Sequence, residues 1–203
     1  MELYEIDVSG NCHKIRLLLS LLQVPYTAIA INAAQQEQKS ASFLKMNPFG
    51  QVPVLKDGEI VIRDSQAILV YLARQYAPPS WLPLDAVGMS RVMQWLSTAA
   101  NEVARGPSAL RVHYKFGRPI PVEDAEKFTL QVLQILEQHL QTEIWLAAKH
   151  ITIADIAIYP YIALAPEGKV DLTVYPSICK WLSRIQALPN YVGMPYMWVN
   201  TTP

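Results

Sequence analysis

Apolar and polar positions change rhythm once along this chain. Up to about residue 76, short apolar runs alternate with helical stripes. Leu3-Tyr4-Glu5-Ile6 has the length of a short strand, and Lys14 to Leu22 then places Ile15, Leu18, Leu19 and Leu22 on one helical stripe. Pro25 ends that helix, and Tyr26 to Ile31 predicts a second strand. Ser40 to Lys45 predicts a short helix stopped by Asn47-Pro48, because the residue before a proline is pushed out of the helical region. Val52 to Leu55 and Ile60 to Ile62 flank Lys56-Asp57-Gly58-Glu59, and an Asp-Gly turn between two apolar runs predicts a hairpin. A last helix of this part carries Ile68, Leu69 and Leu72 inward. The order β-α-β-α-β-β-α implies a parallel, right-handed crossover between the first two strands and an antiparallel edge from the hairpin.

The proline-rich, aperiodic run from Ala77 to Pro83 reads as a linker. From about Asp85 the pattern is helical throughout. Val122 to Leu140 spaces Phe128, Val132, Ile135 and Leu136 at helical intervals among Glu and Gln. Thr152 and Asp155 form a capping-box pair ahead of a run from Ile156 to about Ala165 that is apolar nearly all round, which predicts a central helix. Tyr175-Pro176 opens one more helix, ending near Leu188-Pro189. The expected organisation is an α/β unit over residues 1–77 and an all-α unit over 85–203.

Composition narrows the function class. Lys and Arg total 17 against 17 Asp and Glu, and no block of like charge occurs, so nothing in the sequence would draw in a nucleic acid or an anionic membrane. Two cysteines, Cys12 and Cys179, are too few for a disulfide scaffold, so a reducing compartment is the default. The start, Met1 to Asp7, carries acids where a signal peptide has a basic stretch, and no apolar run reaches the ~20 residues of a membrane helix. A cytoplasmic protein, with no membrane and no nucleic-acid partner, is expected.

Phe43-Leu44-Lys45-Met46-Asn47-Pro48-Phe49-Gly50-Gln51-Val52-Pro53-Val54-Leu55, then Asp57-Gly58, then Asp64-Ser65-Gln66-Ala67-Ile68, resembles the glutathione S-transferase family. The likeness takes in Ser9-Gly10-Asn11-Cys12, the Thr152 to Asp155 box and Leu188-Pro189, so it covers nearly the whole chain, and its local pattern looks closest to the serine-type theta, phi and related bacterial forms. It implies a thioredoxin-like α/β first domain and an all-α helical second domain. It also implies glutathione as co-substrate, a small electrophile or peroxide as second substrate, a homodimer, detoxification chemistry and no metal; the alternatives are a glutathione-dependent disulfide reductase, through Cys12 or a second glutathione, and a non-catalytic glutathione-binding or scaffold protein.

The residues that would carry this chemistry have readings of their own. Pro53 lacks an N–H, so it belongs at a sheet edge or in a special geometry; a cis bond before it would free the Val52 backbone to pair with a peptide ligand. The resemblance implies that use, with Val52 holding the cysteinyl part of glutathione. Asp64-Ser65 caps a helix start, whose free N–H groups also receive carboxylates; the resemblance implies that Asp64 holds the γ-glutamyl ammonium and Ser65 its carboxylate. Many relatives carry Glu at the place of Asp64. Gln51 is similar to the residue supporting the tripeptide backbone, and Gln38-Lys39 stands where phi-like members carry a His-Lys pair near the glycyl carboxylate; a solvated loop is the alternative for Gln38 and Lys39.

Ser9, Asn11 and Cys12 fall between the first strand and first helix, where an α/β sheet opens a crevice beside a helix N-terminus. A hydroxyl donor and a helix N-terminus both favour a thiolate over a thiol. Ser9 matches the serine-type residue, Asn11 would add an amide donor, and Cys12 stands where beta-class members have a cysteine able to form a mixed disulfide. The alternatives are a capping serine, a capping asparagine and a small buried cysteine. His13 reads as a surface residue of the first turn. Phe49 resembles the aromatic that several classes insert into the partner subunit. Asn101 to Pro107 and Arg111 to Tyr114 are expected to line the second-substrate site, with Arg105 and Arg111 available to an anionic acceptor.

Overall fold

The structure, a computed structural model, describes residues 1–199. Strand β1 (Glu2–Glu5) pairs in parallel with β2 (Thr27–Ala30), and α1 (Gly10–Leu21) makes the crossover between them. A single 3-10 turn (Glu37–Lys39) and a short helix, α2 (Ala41–Met46), lead to the hairpin β3 (Val54–Asp57) and β4 (Ile60–Arg63). The hairpin joins antiparallel to β1, which gives the sheet order β2-β1-β3-β4. Helix α3 (Ser65–Tyr76) closes this part.

Alternation along the strands sends neighbouring side chains to different layers. Leu3 and Leu55 are cross-strand partners and pack with Ile15, Leu18, Ile68 and Leu72 of α1 and α3. Their neighbours Tyr4 and Val54, also partners, pack instead with Ile31 and Phe43 of the α2 side. One sheet therefore carries a large core on one face and a small one on the other.

The helical half follows as α4 (Ala86–Ala100), α5 (Glu102–Arg105), α6 (Pro107–Phe116), α7 (Val122–Thr142), α8 (Ile153–Ala163) and α9 (Pro176–Gln186). Helix α8 is buried along nearly its whole length, as its all-round apolar sequence predicts. It lies against α1, α3 and α4, so the core runs without a break from the sheet into the helices. The predicted capping box forms. Asp155, fully buried, accepts from the Thr152 N–H at 2.9 Å, the Leu146 N–H at 3.0 Å and the Trp181 indole N–H at 3.0 Å. The last bond ties α8 to α9, a link the local pattern does not show.

Two expectations shift. Helix α1 starts at Gly10 rather than Lys14, because Ser9 caps it by accepting from the Cys12 N–H at 3.3 Å. His13 is not on the surface: Cys12, His13 and Lys14 are all buried, as α1 is covered by the sheet, α3 and α8 together.

Candidate active site

A cleft of about 180 Å³ opens where the two halves meet. From the sheet side it is lined by Asn11, Asn47, Phe49, Gln51, Val52, Pro53 and the run Arg63 to Gln66; from the helical side by Ala99, Ala100, Ala104, Ser108 and Tyr161. Three irregular stretches of backbone deliver the polar members.

The first is the stretch before β3. The Val52–Pro53 bond is cis, and Val52 lies ahead of the strand, outside the ladder register that begins with Tyr4 opposite Val54. The Asn47 amide donates to the Gln51 carbonyl at 2.7 Å, which holds the loop in shape. Gly50, at φ +58°, sits so close to the Gln38 carbonyl and the Lys39 ammonium that an added Cβ would lie 2.7 Å from both, so glycine is required twice over. Lys39 donates to the Phe49 carbonyl at 2.9 Å. Gln38 and Lys39 thus buttress the loop that carries Gln51, and neither lines the cleft itself.

The second is the start of α3. Asp64 adopts φ +75°, a conformation that is uncommon outside glycine and marks a constrained site. Its Oδ1 accepts from the N–H groups of both Gln66 and Ala67, at 2.9 and 3.1 Å. One carboxylate oxygen caps the helix while the other stays available to a cation. Ser65, buried as the first residue of α3, donates to Gln66 and lies 3.4 Å from Asn11 Oδ1. A group bearing both ammonium and carboxylate fits here: Asp64 attracts the cation, and the Ser65 hydroxyl and the helix N-terminus favour the anion.

The third is the start of α1. Asn11 faces the cleft, and with its Oδ1 turned toward Ser65 its amide N–H groups are left to donate elsewhere. Ser9 is half-buried next to it and does not line the cleft; its Oγ accepts from the helix cap, and its hydroxyl also faces the Cys12 thiol. Cys12 lies deeper. It is fully buried, it lines none of the cleft, and burial pushes its thiol up to about 11, more than the hydrogen bond with Ser9 brings it down. A thiol held protonated and away from the cleft is not a poised nucleophile.

Behind this wall, Tyr161 of α8 lies against Gly10, where a Cβ would come within 2.8 Å of its ring. The Lys14 ammonium sits 5.6 Å from the same ring, and burial brings it down to about 7, partly offset by the charge of Asp64. The expected second-substrate lining is met in part. Of those residues only Ala104 faces the cleft, joined by Ser108, which lay outside the expectation, whereas Arg105 stacks its guanidinium 3.9 Å from the Phe128 ring centre and Arg111 is buried in an ion pair with Glu167. Asn47, which the sequence marked only as a helix stop within the motif run, lines the cleft, and Arg63 and Tyr161 line it without having stood out in the sequence. Arg63 directly precedes Asp64-Ser65, and that adjacency was the available signal; Tyr161 had none, since its place depends on how α8 packs.

The cleft therefore joins a strand-entry backbone outside the sheet ladder, a carboxylate and a hydroxyl at one helix start and an amide at another, all beside a second, helical wall. The fold that carries it is thioredoxin-like with a helical second half. The family model described as glutathione S-transferase, N-terminal domain, matches residues 3–80, and that for the glutathione S-transferase C-terminal domain matches residues 109–189. The chain belongs to the glutathione S-transferase family. It is 29% identical over 198 residues to glutathione S-transferase theta-3 of Mus musculus, covering 92% of this chain and 82% of that one. It is 27% identical over 192 residues to the disulfide-bond oxidoreductase YfcG of Escherichia coli K12, covering 88% and 87%. Among solved structures, a possible glutathione S-transferase from Rhodopseudomonas palustris superposes with a TM-score of 0.87 at 31% identity, covering 100% of this chain and 93% of that chain. A glutathione transferase homolog from Drosophila mojavensis with bound glutathione gives 0.84 at 30% identity, covering 93% and 88%.

Proposed function

We propose that this glutathione transferase binds glutathione along the Gln51 to Pro53 and Asp64-Ser65 stretches and activates its thiol at the start of α1 for attack on a soft electrophilic carbon or a peroxide. The observation that carries the reading is the convergence of Val52, Asp64, Ser65 and Asn11 on one cleft. In that arrangement Val52 pairs with the cysteinyl backbone, Asp64 takes the γ-glutamyl ammonium, Ser65 takes its carboxylate, and Gln51 supports the peptide. The Asn11 amide and the Ser9 hydroxyl donate to the sulfur, and the α1 N-terminus adds its positive end. The thiolate then forms the new carbon–sulfur bond as the electrophile's leaving group departs with the electron pair. Residues 1–77 form the glutathione-binding domain and residues 85–203 the second-substrate domain, with Ala104, Ser108 and Tyr161 facing the electrophile.

The deciding experiment is a pH titration of glutathione's thiolate absorbance with and without the protein. The bound thiol is expected to titrate clearly below the ~8.5 of a free cysteine. An unshifted curve at saturating protein would refute activation. Glutathione-dependent disulfide reduction is the second reading, supported by the likeness to the Escherichia coli oxidoreductase. With Cys12 buried, it would run through a second glutathione, so Cys12→Ser is expected to keep any reductase activity.

A cytoplasmic homodimer acting in detoxification completes the reading. Among the described residues no helix is long and apolar enough to cross a membrane. Phe49 is 60% exposed, and Ile60 and Val61 on the edge strand β4 are exposed too, an apolar surface suited to a second copy. Phe49→Ser is expected to weaken association in sedimentation at low concentration; a variant that stays fully dimeric would remove Phe49 as an anchor.

A further inference from the structure

Arg111 is the most deeply placed cation of the helical half, 3% exposed on α6. Its Nε is ion-paired with Glu167, and Glu167 also receives Lys115. Glu167 belongs to the single 3-10 turn Ala165–Gly168 after α8, and that turn is pressed onto α6. A Cβ on Gly168 would lie 3.0 Å from the Arg111 backbone nitrogen, so the carboxylate has little freedom to move away. With Nε fixed in this way, the planar guanidinium has a set direction. Its Nη1 donates to the Val8 carbonyl at 2.9 Å, 103 positions away in sequence and in the other half of the molecule.

Val8 lies in the turn between β1 and α1, immediately before Ser9. Its side chain is 44% exposed, so packing does little to hold it. The turn is held through its backbone instead: the Ser9 N–H donates to the Ile6 carbonyl at 3.0 Å, and Arg16 donates to the Asp7 carbonyl at 2.8 Å. Those two anchors come from the sheet half. The Arg111 bond to Val8 comes from α6, three residues beyond Ser108 in the cleft wall. Losing it would let the Val8-Ser9 peptide rotate away from the helical half while the rest of α1 stayed packed.

We infer that Arg111 is a positioning residue, the strut by which the helical half fixes the Val8-Ser9 turn and so aims the thiol donors at the start of α1. The inference rests on the proposed activation of glutathione by Ser9 and Asn11. It gives a burial reason for a charge that is costly to desolvate: paired with Glu167 and bonded to Val8, the guanidinium still has its Nη2 buried without a hydrogen-bond partner among the described residues.

The test compares wild type, Arg111→Met, Arg111→Lys and Glu167→Gln. Each is measured for thermal midpoint, glutathione Kd and the pKa of the bound thiol by absorbance. Arg111→Met is expected to raise the bound thiol's pKa by about one unit, a roughly fivefold loss of thiolate at pH 6.5 for a wild-type value about two units below that of a free cysteine, with glutathione Kd changed by less than about threefold. Arg111→Lys keeps the charge beside Glu167 but cannot hold both acceptors, and Glu167→Gln loosens the guanidinium's aim. Both are expected to raise the thiol pKa in the same direction by less. If the folded variants lose thermal stability yet titrate the thiol as wild type does, Arg111 is structural only and the inference is overturned. If wild-type protein itself leaves the thiol unshifted, the failure belongs to the proposed function instead.

Discussion

The double variant Ser9→Ala/Asn11→Ala is expected to titrate bound glutathione's thiol about two units higher than wild type, and to conjugate roughly fiftyfold more slowly near pH 6.5. Two units correspond to roughly 2.7 kcal/mol of lost preference for the anion. That is a reasonable share for two hydrogen bonds to a charged sulfur in a partly enclosed cleft. Each single variant is expected to retain part of the effect, and the parts need not add, because the two residues sit in the same turn. Asn11 lines the cleft and Ser9 does not, so Asn11→Ala should cost the larger share. Ser9→Ala also removes the α1 cap, at about 1 kcal/mol of stability, so a thermal midpoint must accompany the titration. A double variant whose titration curve overlies that of wild type would remove both residues as thiol donors. Cys12→Ser is the control: with its thiol buried and held near 11, it should leave the curve in place.

Acid is expected to weaken the protein through His13, and His13→Leu is expected to blunt the loss. The His13 ring is fully buried, neither of its nitrogens has a hydrogen-bond partner among the described residues, and burial, with Arg16 adding like charge, lowers it to about 3. The unfolded chain's histidine titrates near ~6.5. Because the folded value is the lower one, folding excludes a proton that the unfolded state accepts. The associated stability is fully present above about pH 6.5 and drains away as pH falls toward 3. At pH 4.5 the loss is expected to be on the order of 3 kcal/mol, about two pH units below the unfolded value. Leucine has a similar volume and no polar atoms to bury, so at pH 7 the variant should be as stable as wild type or more so. Urea unfolding at pH 7 and pH 4.5 reads the difference. Equal losses in the two proteins would mean that His13 is hydrated or paired in solution.

Much of the architecture was legible before any coordinates. Strand alternation, the Asp57-Gly58 turn and the Thr152-Asp155 box each report a local rule, namely the period of a strand, the backbone of a tight turn or the free N–H groups of a helix start. Local backbone rules marked Pro53 as an edge or special-geometry proline and Asp64-Ser65 as a helix cap; that these residues and Gln51 hold a peptide ligand came only from the resemblance to the glutathione S-transferase family. The helical run from Ile156 announced its central place because a helix apolar on every side can only be buried.

What the sequence could not reveal is which face of α1 another element covers. Lys14 to Leu22 displays a stripe, but α8 arrives from about 140 residues away and buries Cys12, His13 and Lys14 as well. That one contact turns a histidine expected on the surface into an acid-labile core residue, and it decides between the two readings of Cys12 in favour of the small buried cysteine, since both outcomes follow from loss of water. The fate of Arg111 was decided in the same way. Nothing near it in sequence names Glu167 or Val8 as its partners, and only the packing of α6 on the turn after α8 converts a surface cation into a buried strut. Local chemistry thus determined which residues are able to bind and activate a thiol peptide; long-range packing, through solvent exclusion, decided which of them are in a position to do it.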